Sequence, residues 1–208
     1  MLFRSTVYHS DMQMISEFYD KSYIPIGSVE FVREFMRINN IKEPEINPYP
    51  IRDYKFLQRN MSNSTHSFDE LLRYGVTGGI FIKPKKLKLF TGFVLDTNEK
   101  YENVSERTKE ELWILLQNAN EQLYVSDVVD FLSEWRYYSQ GGKIIGYARY
   151  DEEGEENAPE PDVNVVEEYA SLLNISHPYV LDFGVISTGQ TGLVEYNDFW
   201  SLGLYGDA

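Results

Sequence analysis

Two short segments near the C-terminal end alternate apolar and polar residues, and they constrain the fold more than any other feature of the chain. The segments are residues 180–185 and 193–198, and alternation over such lengths predicts β-strands. The residues between them, 187–192, include two glycines that suit the positive φ angles of a tight turn. We therefore predict a β-hairpin.

Three side chains of this hairpin carry oxygen atoms that could converge on one face. Glu195 and Asn197 are two residues apart, so they point to the same side of their strand. Asp182 lies opposite them if the hairpin pairs in register. Two carboxylates and an amide oxygen suit a hard cation, with Mg²⁺ as the first candidate. The alternative is an ordinary polar strand in which Asn197 and Asp198 begin a turn.

A second candidate site is a cluster of four lysines. Lys83 interrupts an apolar run, and three more lysines follow it closely: Lys85, Lys86 and Lys88. The formal net charge of the chain is −14, so a local basic cluster indicates an anionic ligand such as a triphosphate. The alternative is an edge strand on which lysines prevent aggregation.

A third candidate site surrounds Trp135. Alternation places Glu134 and Arg136 on one strand face and Trp135 on the other. Glu134 could bind ribose hydroxyls and Arg136 a developing anion; the alternative is an exposed ion pair, worth roughly 0–1 kcal/mol. Arg149 ends the next predicted strand, and it would join Arg136 if the glycines at 141–142 close a hairpin.

The order of the predicted elements indicates an α+β fold, because antiparallel hairpins alternate with single helices. Capping residues predict helices after Ser28, Ser67 and Ser105, and a fourth helix is predicted over 163–173. Further strands are predicted over 2–8, 79–83, 88–95, 123–128, 131–139 and 143–150. Three prolines within 44–50 indicate a boundary after a small N-terminal unit, 1–50.

Composition excludes several classes of protein. The chain has no cysteine, so it has neither disulfides nor thiolate metal sites. Its acidic charge argues against binding to a nucleic-acid backbone. Neither a transmembrane stretch nor the apolar core of a signal peptide is evident. We therefore expect a cytoplasmic protein.

In their order and spacing, these segments resemble the ATP-grasp ligases, and most closely their glutamate-ligase-like carboxylate–amine branch. The resemblance is carried by residues 81–84, 124–129, 134–136, 142–149, 182 and 195–197. It implies a nucleotide held between two α+β lobes, which we assign to 51–124 and 125–208. The unit 1–50 would then replace the larger domain that usually precedes the fold, so we expect it to be a shortened one.

The resemblance also implies which residues bind the nucleotide. Lys83 would contact the phosphates with help from Lys88, and Glu134 would bind the ribose. Ser126 and Val128 belong to the strand whose backbone would read the adenine edge. The earlier lysine of the first lobe has no clear counterpart here, and residues 55 and 59 are both candidates for its place.

The remaining implied roles concern the metal and the reaction. Asp182, Glu195 and Asn197 align with the Mg²⁺ ligands of the family, which usually serve two ions. Arg136 and Arg149 align with basic residues that face the γ-phosphate and the acyl phosphate.

The resemblance thus implies an ADP-forming ligase that requires ATP and Mg²⁺. It would activate a substrate carboxylate as an acyl phosphate for attack by an amine. The substrates could be small molecules, peptides or proteins. The alternative is a catalytically weak ATP-binding module that acts through protein–protein contacts, and the retention of three metal ligands and both arginines favours the enzyme.

Overall fold

A computed structural model of the chain contains two antiparallel β-sheets that follow one another in the sequence. It describes residues 29–42, 53–74, 78–86, 89–96, 98–149, 157–173 and 175–198. The strand predicted at 2–8 and the candidate residue Lys88 lie outside these ranges. No helix within them is long and apolar enough to cross a membrane.

The helices begin where their capping residues predict. They are α1 (Val29–Ile38), α2 (Tyr54–Leu57), α3 (Phe68–Tyr74), α4 (Glu106–Gln117) and α5 (Val163–Leu173). Before α3, the Ser67 N–H donates to Glu70 Oε2 at 2.7 Å and the Glu70 N–H donates to Ser67 Oγ at 3.3 Å. This reciprocal pair is the predicted capping box. Before α4, the Thr108 N–H donates to Ser105 Oγ at 3.1 Å.

The strands follow the predicted order. They are β1 (Gly79–Pro84), β2 (Phe93–Asp96), β3 (Leu123–Ser126), β4 (Phe131–Gln140), β5 (Lys143–Arg149), β6 (Tyr179–Ile186) and β7 (Thr191–Asp198). The strand predicted over 88–95 was too long, because Phe90 leaves the extended path and packs against Phe93 with 5.8 Å between ring centroids.

The first sheet has the order β2-β1-β3 and packs against α3 and α4. Its apolar core consists of Phe68, Leu71, Ile82, Phe90, Phe93, Leu95, Leu115 and Leu123. Because strand residues alternate between faces, Lys83 lies on the side opposite Ile82. Tyr124 is opposite Lys83 in the register, so the two side chains share that second face.

The second sheet has the order β5-β4-β6-β7, and α5 covers one of its faces. We call this the helix face; its core is built from Tyr137, Val166, Tyr169, Ala170, Tyr179, Leu181, Phe183, Leu193 and Tyr196. Phe56, Leu57 and Met61 complete the same core. The predicted boundary at residue 51 is therefore not a boundary in packing, because this part of the segment assigned to the first lobe packs with the second sheet.

The chain crosses between the two sheets twice. After Leu57, residues 60–66 run antiparallel to β3, with bridges from Met61 to Ser126 and from His66 to Leu123. After β3, residues 127–130 lead into β4 of the second sheet. The Asp127 N–H donates to the Asn60 carbonyl at 2.9 Å, and Asn60 Nδ2 donates to Asp127 Oδ2 at 2.7 Å. These hydrogen bonds hold the two crossings together.

Candidate functional site

The β6–β7 hairpin brings Asp182 directly opposite Glu195, as the sequence predicted. A β-bulge makes this possible, because the register passes from Phe183–Leu193 to Asp182–Glu195 and leaves Val194 as an additional residue. In an unbroken ladder Asp182 would face Val194, and Glu195 would turn toward the helix face. The bulge therefore places Glu195 on the opposite face of the sheet, which we call the site face.

Arg136 extends this arrangement onto a third strand. It lies opposite Asp182 in the β4–β6 register. Its Nε and Nη2 atoms donate to the two carboxylate oxygens of Asp182, each at 2.8 Å. The pair is bidentate and deeply buried, with side chains 5% and 1% exposed. Arg136, Asp182 and Glu195 thus form a row of charged residues across β4, β6 and β7.

Asn197 also contacts Asp182. Its Nδ2 atom donates to Asp182 Oδ2 at 3.2 Å, so the third predicted ligand reaches the same carboxylate. Burial raises the pKa of Asp182 above its ordinary value, and the neighbouring carboxylate of Glu195 acts in the same direction. The hydrogen-bonded guanidinium of Arg136 and the ammonium of Lys83 oppose this rise.

Lys83 reaches the row from the other sheet. Its Nζ atom forms an ion pair with Glu195 Oε1, and the two side chains are 23% and 30% exposed. The predicted placement of Lys83 across from the carboxylates is thus observed, with its ammonium on a candidate metal ligand. Two cationic side chains, Lys83 and Arg136, therefore balance the two carboxylates of the cluster.

Glu134 lies on the site face two residues before Arg136, as alternation predicted. Its register partner on β6 is Gly184. A Cβ atom at Gly184 would lie 2.4 Å from the Ser133 carbonyl oxygen and 2.5 Å from the Phe131 ring. The sheet therefore tolerates no side chain at position 184, and β4 packs closely beside Glu134.

Arg149 does not join Arg136, which corrects the expectation of two converging arginines. The β4–β5 hairpin does close at the glycines of 141–142, whose φ angles are +58° and +73°. A bulge between Tyr138 and Ser139 then shifts the register, so that Arg149 lies opposite Trp135. Without that bulge Arg149 would lie opposite Glu134, on the site face. The shift turns Arg149 toward the helix face.

Ser126 and Val128 lie where the chain leaves the first sheet. Ser126 is opposite Phe81 in the β1–β3 register, so it shares the face of Lys83. Its side chain is buried, and its Oγ donates to the Asp127 carbonyl at 3.0 Å. Beside this link is an open pocket of about 350 Å³. It is lined by Gln58, Arg59, Asn60, Asp127, Val128 and Val129.

The two candidates for the earlier lysine both contact the second sheet or its helix. Lys55 forms an ion pair with Glu168 on α5. Arg59 donates to the backbone carbonyls of Leu193 and Val194 at 2.8 and 3.0 Å. The contact of Arg59 with the bulge was not predicted, because a side chain bound to a carbonyl group has no complementary residue in the sequence.

The residues of the cluster fit a magnesium ion in their chemistry. In the ranges that the structure describes, no group of three or more His, Cys, Asp or Glu side chains could hold a metal. The candidate donor set is therefore the two carboxylates and the amide of Asp182, Glu195 and Asn197, all with oxygen atoms that a hard cation prefers. Since Lys83 and Arg136 already balance the carboxylates, a divalent cation fits best when it arrives with an anionic ligand.

The solved structures that resemble this chain share little sequence with it. The ATP-grasp ligase PsnB, complexed with minimal precursor, Mg and ADP, is 16% identical, with a TM-score of 0.48 over 76% of this chain and 49% of that one. N5-carboxyaminoimidazole synthase from Aspergillus clavatus, with ADP and 5-aminoimidazole ribonucleotide, is 7% identical, with a TM-score of 0.43 over 71% of this chain and 41% of that one. D-alanyl-alanine synthetase A from Vibrio cholerae is 18% identical, with a TM-score of 0.38 over 62% and 44%.

The chain therefore spans less than half the length of these three proteins. No curated protein matches it. The model of one family of ATP-grasp domains, the second family of its clade, matches residues 56–207, which is well over half of the chain. The α+β architecture of two antiparallel sheets agrees with this match. The chain belongs to this family of ATP-grasp domains and has the ATP-grasp fold.

Proposed function

We propose that this protein is an ATP- and Mg²⁺-dependent ligase that activates a substrate carboxylate as an acyl phosphate for attack by an amine. The products are an amide, ADP and phosphate. The observation that carries the proposal is the row Arg136–Asp182–Glu195, with Lys83 contacting Glu195 from the other sheet. Oxygen ligands on one lobe and a mobile ammonium on the other suit a bound metal–triphosphate complex.

Each residue of the cluster has a role in this proposal. Lys83 moves from Glu195 to the phosphate oxygens, and Glu195 then supplies its carboxylate to the cation. Arg136 holds Asp182 in a fixed orientation through two hydrogen bonds and adds positive charge near the reacting phosphoryl group. When bound, Mg²⁺ neutralises the charge on the phosphate oxygens as the carboxylate attacks; two ions would match the family.

The rest of the nucleotide would be held by residues along the crossing between the sheets. Glu134 is proposed to accept the ribose hydroxyls. The backbone around Ser126 and Val128 is proposed to read the adenine edge, and the pocket lined by Val128 supports this placement. Roles for Lys88 and Arg149 at the phosphates remain predictions, and the register of β5 gives Arg149 the weaker support.

A second candidate function is a catalytically weak ATP-binding module that acts through protein contacts. One observation favours it: Arg136 is engaged with Asp182, while Arg149 lies on the other face of the sheet. Neither arginine therefore points at the place that a transferred phosphoryl group would occupy. In this reading Lys83 and the carboxylates bind the metal–nucleotide complex without turnover.

ADP release distinguishes the two functions. The purified chain is incubated with ATP and Mg²⁺ and with pools of amino acids and of peptides, and ADP is measured by a coupled assay. We expect ADP release that depends on one pool of acids and one of amines. ATP binding without ADP release in any pool would instead support the binding module.

A glutamate substitution tests the assignment of the metal ligand. Glu195→Gln keeps the size of the side chain but removes a charged ligand, so we expect it to abolish ADP release. Glu168→Gln removes a carboxylate on α5 that pairs with Lys55, and this control should keep the activity. Undiminished ADP release by Glu195→Gln would refute the metal assignment.

A further inference from the structure

The orientation of Glu195 depends on the bulge in β7. Residues two apart on a regular strand share a face, yet Leu193 is fully buried in the core of the helix face while Glu195 lies beside Asp182 on the site face. The additional residue, Val194, resolves this conflict. A strand without the bulge would point the Glu195 carboxylate into an apolar core.

Arg59 binds the backbone of this bulge. Its Nη1 atom donates to the Leu193 carbonyl at 2.8 Å, and its Nη2 atom donates to the Val194 carbonyl at 3.0 Å. Nη1 also lies 3.3 Å from the Leu57 carbonyl oxygen. A guanidinium group presents its donors in a rigid planar fork, so one side chain can hold two successive carbonyl groups at a fixed separation.

The segment that carries Arg59 is itself packed against β7. A Cβ atom added at Gly192 would lie 3.5 Å from Gln58 and 3.4 Å from the Phe131 ring. The Arg59 guanidinium lies 5.9 Å from the centroid of the same ring, within the range of a cation–π contact. Arg59 therefore approaches the bulge from a position that the neighbouring packing defines.

From these contacts we propose that Arg59 is a positioning residue for Glu195. By holding the carbonyl groups of Leu193 and Val194, it maintains the bulge that turns the Glu195 carboxylate onto the face of Asp182. Its effect on the metal–nucleotide complex therefore passes through Glu195. This inference rests on the proposed function, since it assumes that Glu195 is a ligand of the cation.

The test measures metal affinity directly. Mn²⁺ binding in the presence of AMPPNP is followed by electron paramagnetic resonance, well below the thermal midpoint of every variant. We expect Arg59→Met to weaken Mn²⁺ binding by about tenfold or more, the effect typical of removing a residue that orients a metal ligand. Arg59→Lys should weaken it as well, because an ammonium lacks the planar fork.

A matched control removes another guanidinium that makes two hydrogen bonds. Arg37 on α1 binds Glu34 through Nε and Nη2, both at 2.7 Å, and Arg37→Met should leave Mn²⁺ affinity unchanged. If Arg59→Met does not fold, Arg59→Lys provides the same comparison. A purely structural role would lower the thermal midpoint without changing the Mn²⁺ affinity of the folded protein.

A double-mutant cycle separates action through Glu195 from a direct contact. In the Glu195→Gln background, Arg59→Met should cause no further loss of Mn²⁺ affinity, because the ligand that it positions is already absent. Equal losses in both backgrounds would overturn the inference. Wild-type binding with an unchanged Arg59→Met affinity would also overturn it and leave the proposed function intact. No Mn²⁺ binding by the wild type would overturn both.

Discussion

Lys83 on β1 and Glu195 on β7 form an ion pair, although the two residues are 112 positions apart and belong to different sheets. The pair connects the sheet that carries the lysine with the sheet that carries Asp182. With Arg136 it makes a cluster of two cations and two anions. Such a cluster has no net charge to attract a divalent ion, and this has a measurable consequence.

We predict that Mg²⁺ and ATP stabilise the protein together far more than Mg²⁺ does alone. The cation needs the negative charge of the phosphates, because Lys83 and Arg136 already neutralise the carboxylates. A ligand at a hundredfold excess over its Kd should stabilise by about 2.7 kcal/mol, which thermal unfolding with each combination would detect. Equal stabilisation by Mg²⁺ alone would contradict the charge balance. Loss of the joint effect in Glu195→Gln is the matched control.

We predict that Lys83→Met weakens ATP binding without much change in stability. A hydrogen bond to a charged group contributes roughly 1.5–3 kcal/mol, so the Kd for ATP should rise by about ten- to a hundredfold. The free energy of unfolding should change by less than about 1 kcal/mol, since the ion pair is partly exposed.

Calorimetric titration with ATP and Mg²⁺ measures the first quantity, and urea denaturation measures the second. Lys109→Met is the control, because Lys109 pairs with Glu106 on α4 and its side chain is similarly exposed, at 19%. An unchanged Kd in Lys83→Met would remove Lys83 from the phosphate site.

We predict that breaking the buried pair of Arg136 and Asp182 destabilises the fold strongly. Arg136→Met leaves a buried carboxylate without its bidentate partner, and Asp182→Leu leaves a buried guanidinium. Each change should cost roughly 3–5 kcal/mol in the free energy of unfolding measured with urea, whereas the double variant should recover much of the loss. A double variant as unstable as the sum of the singles would show that the residues act independently.

We predict that Gly184→Ala destabilises the second sheet. The added methyl group would lie 2.4 Å from the Ser133 carbonyl oxygen, a backbone atom that cannot move away easily. Overpacking of this kind typically costs about 1–3 kcal/mol. Gly146→Ala is the control, because its nearest contact would be Tyr138 at 3.9 Å. Similar urea midpoints for the two variants would contradict the close approach of β4 and β6.

The elements of the fold were predictable because their signals are local. Alternation identified β6 and β7, and the reciprocal hydrogen bonds of Ser67 and Glu70 follow from a four-residue pattern. The helix α5 has the predicted bounds, Val163–Leu173. The convergence of Asp182 and Glu195 was also predictable, since a hairpin brings neighbouring strands together. Each of these features depends on residues that are close in sequence.

Two bulges decided what alternation could not. Without the additional residue Val194, Asp182 would face an apolar side chain and Glu195 would be buried in the helix face. Without the irregularity at Tyr138 and Ser139, Arg149 would lie on the site face beside Arg136. A bulge inserts one residue and reverses every side chain beyond it. Periodicity in the sequence carries no mark of where such an insertion occurs.

The pairing of Lys83 with Glu195 and the contact of Arg59 with the bulge also required the tertiary structure. Each depends on how the two sheets and the crossing segment pack, which joins residues more than a hundred positions apart. The sequence alone determined which residue types could hold a metal and a triphosphate, and on which strands they lie. Packing of the two sheets decided which of those side chains meet, because the side chain's direction depends on register as well as on residue type.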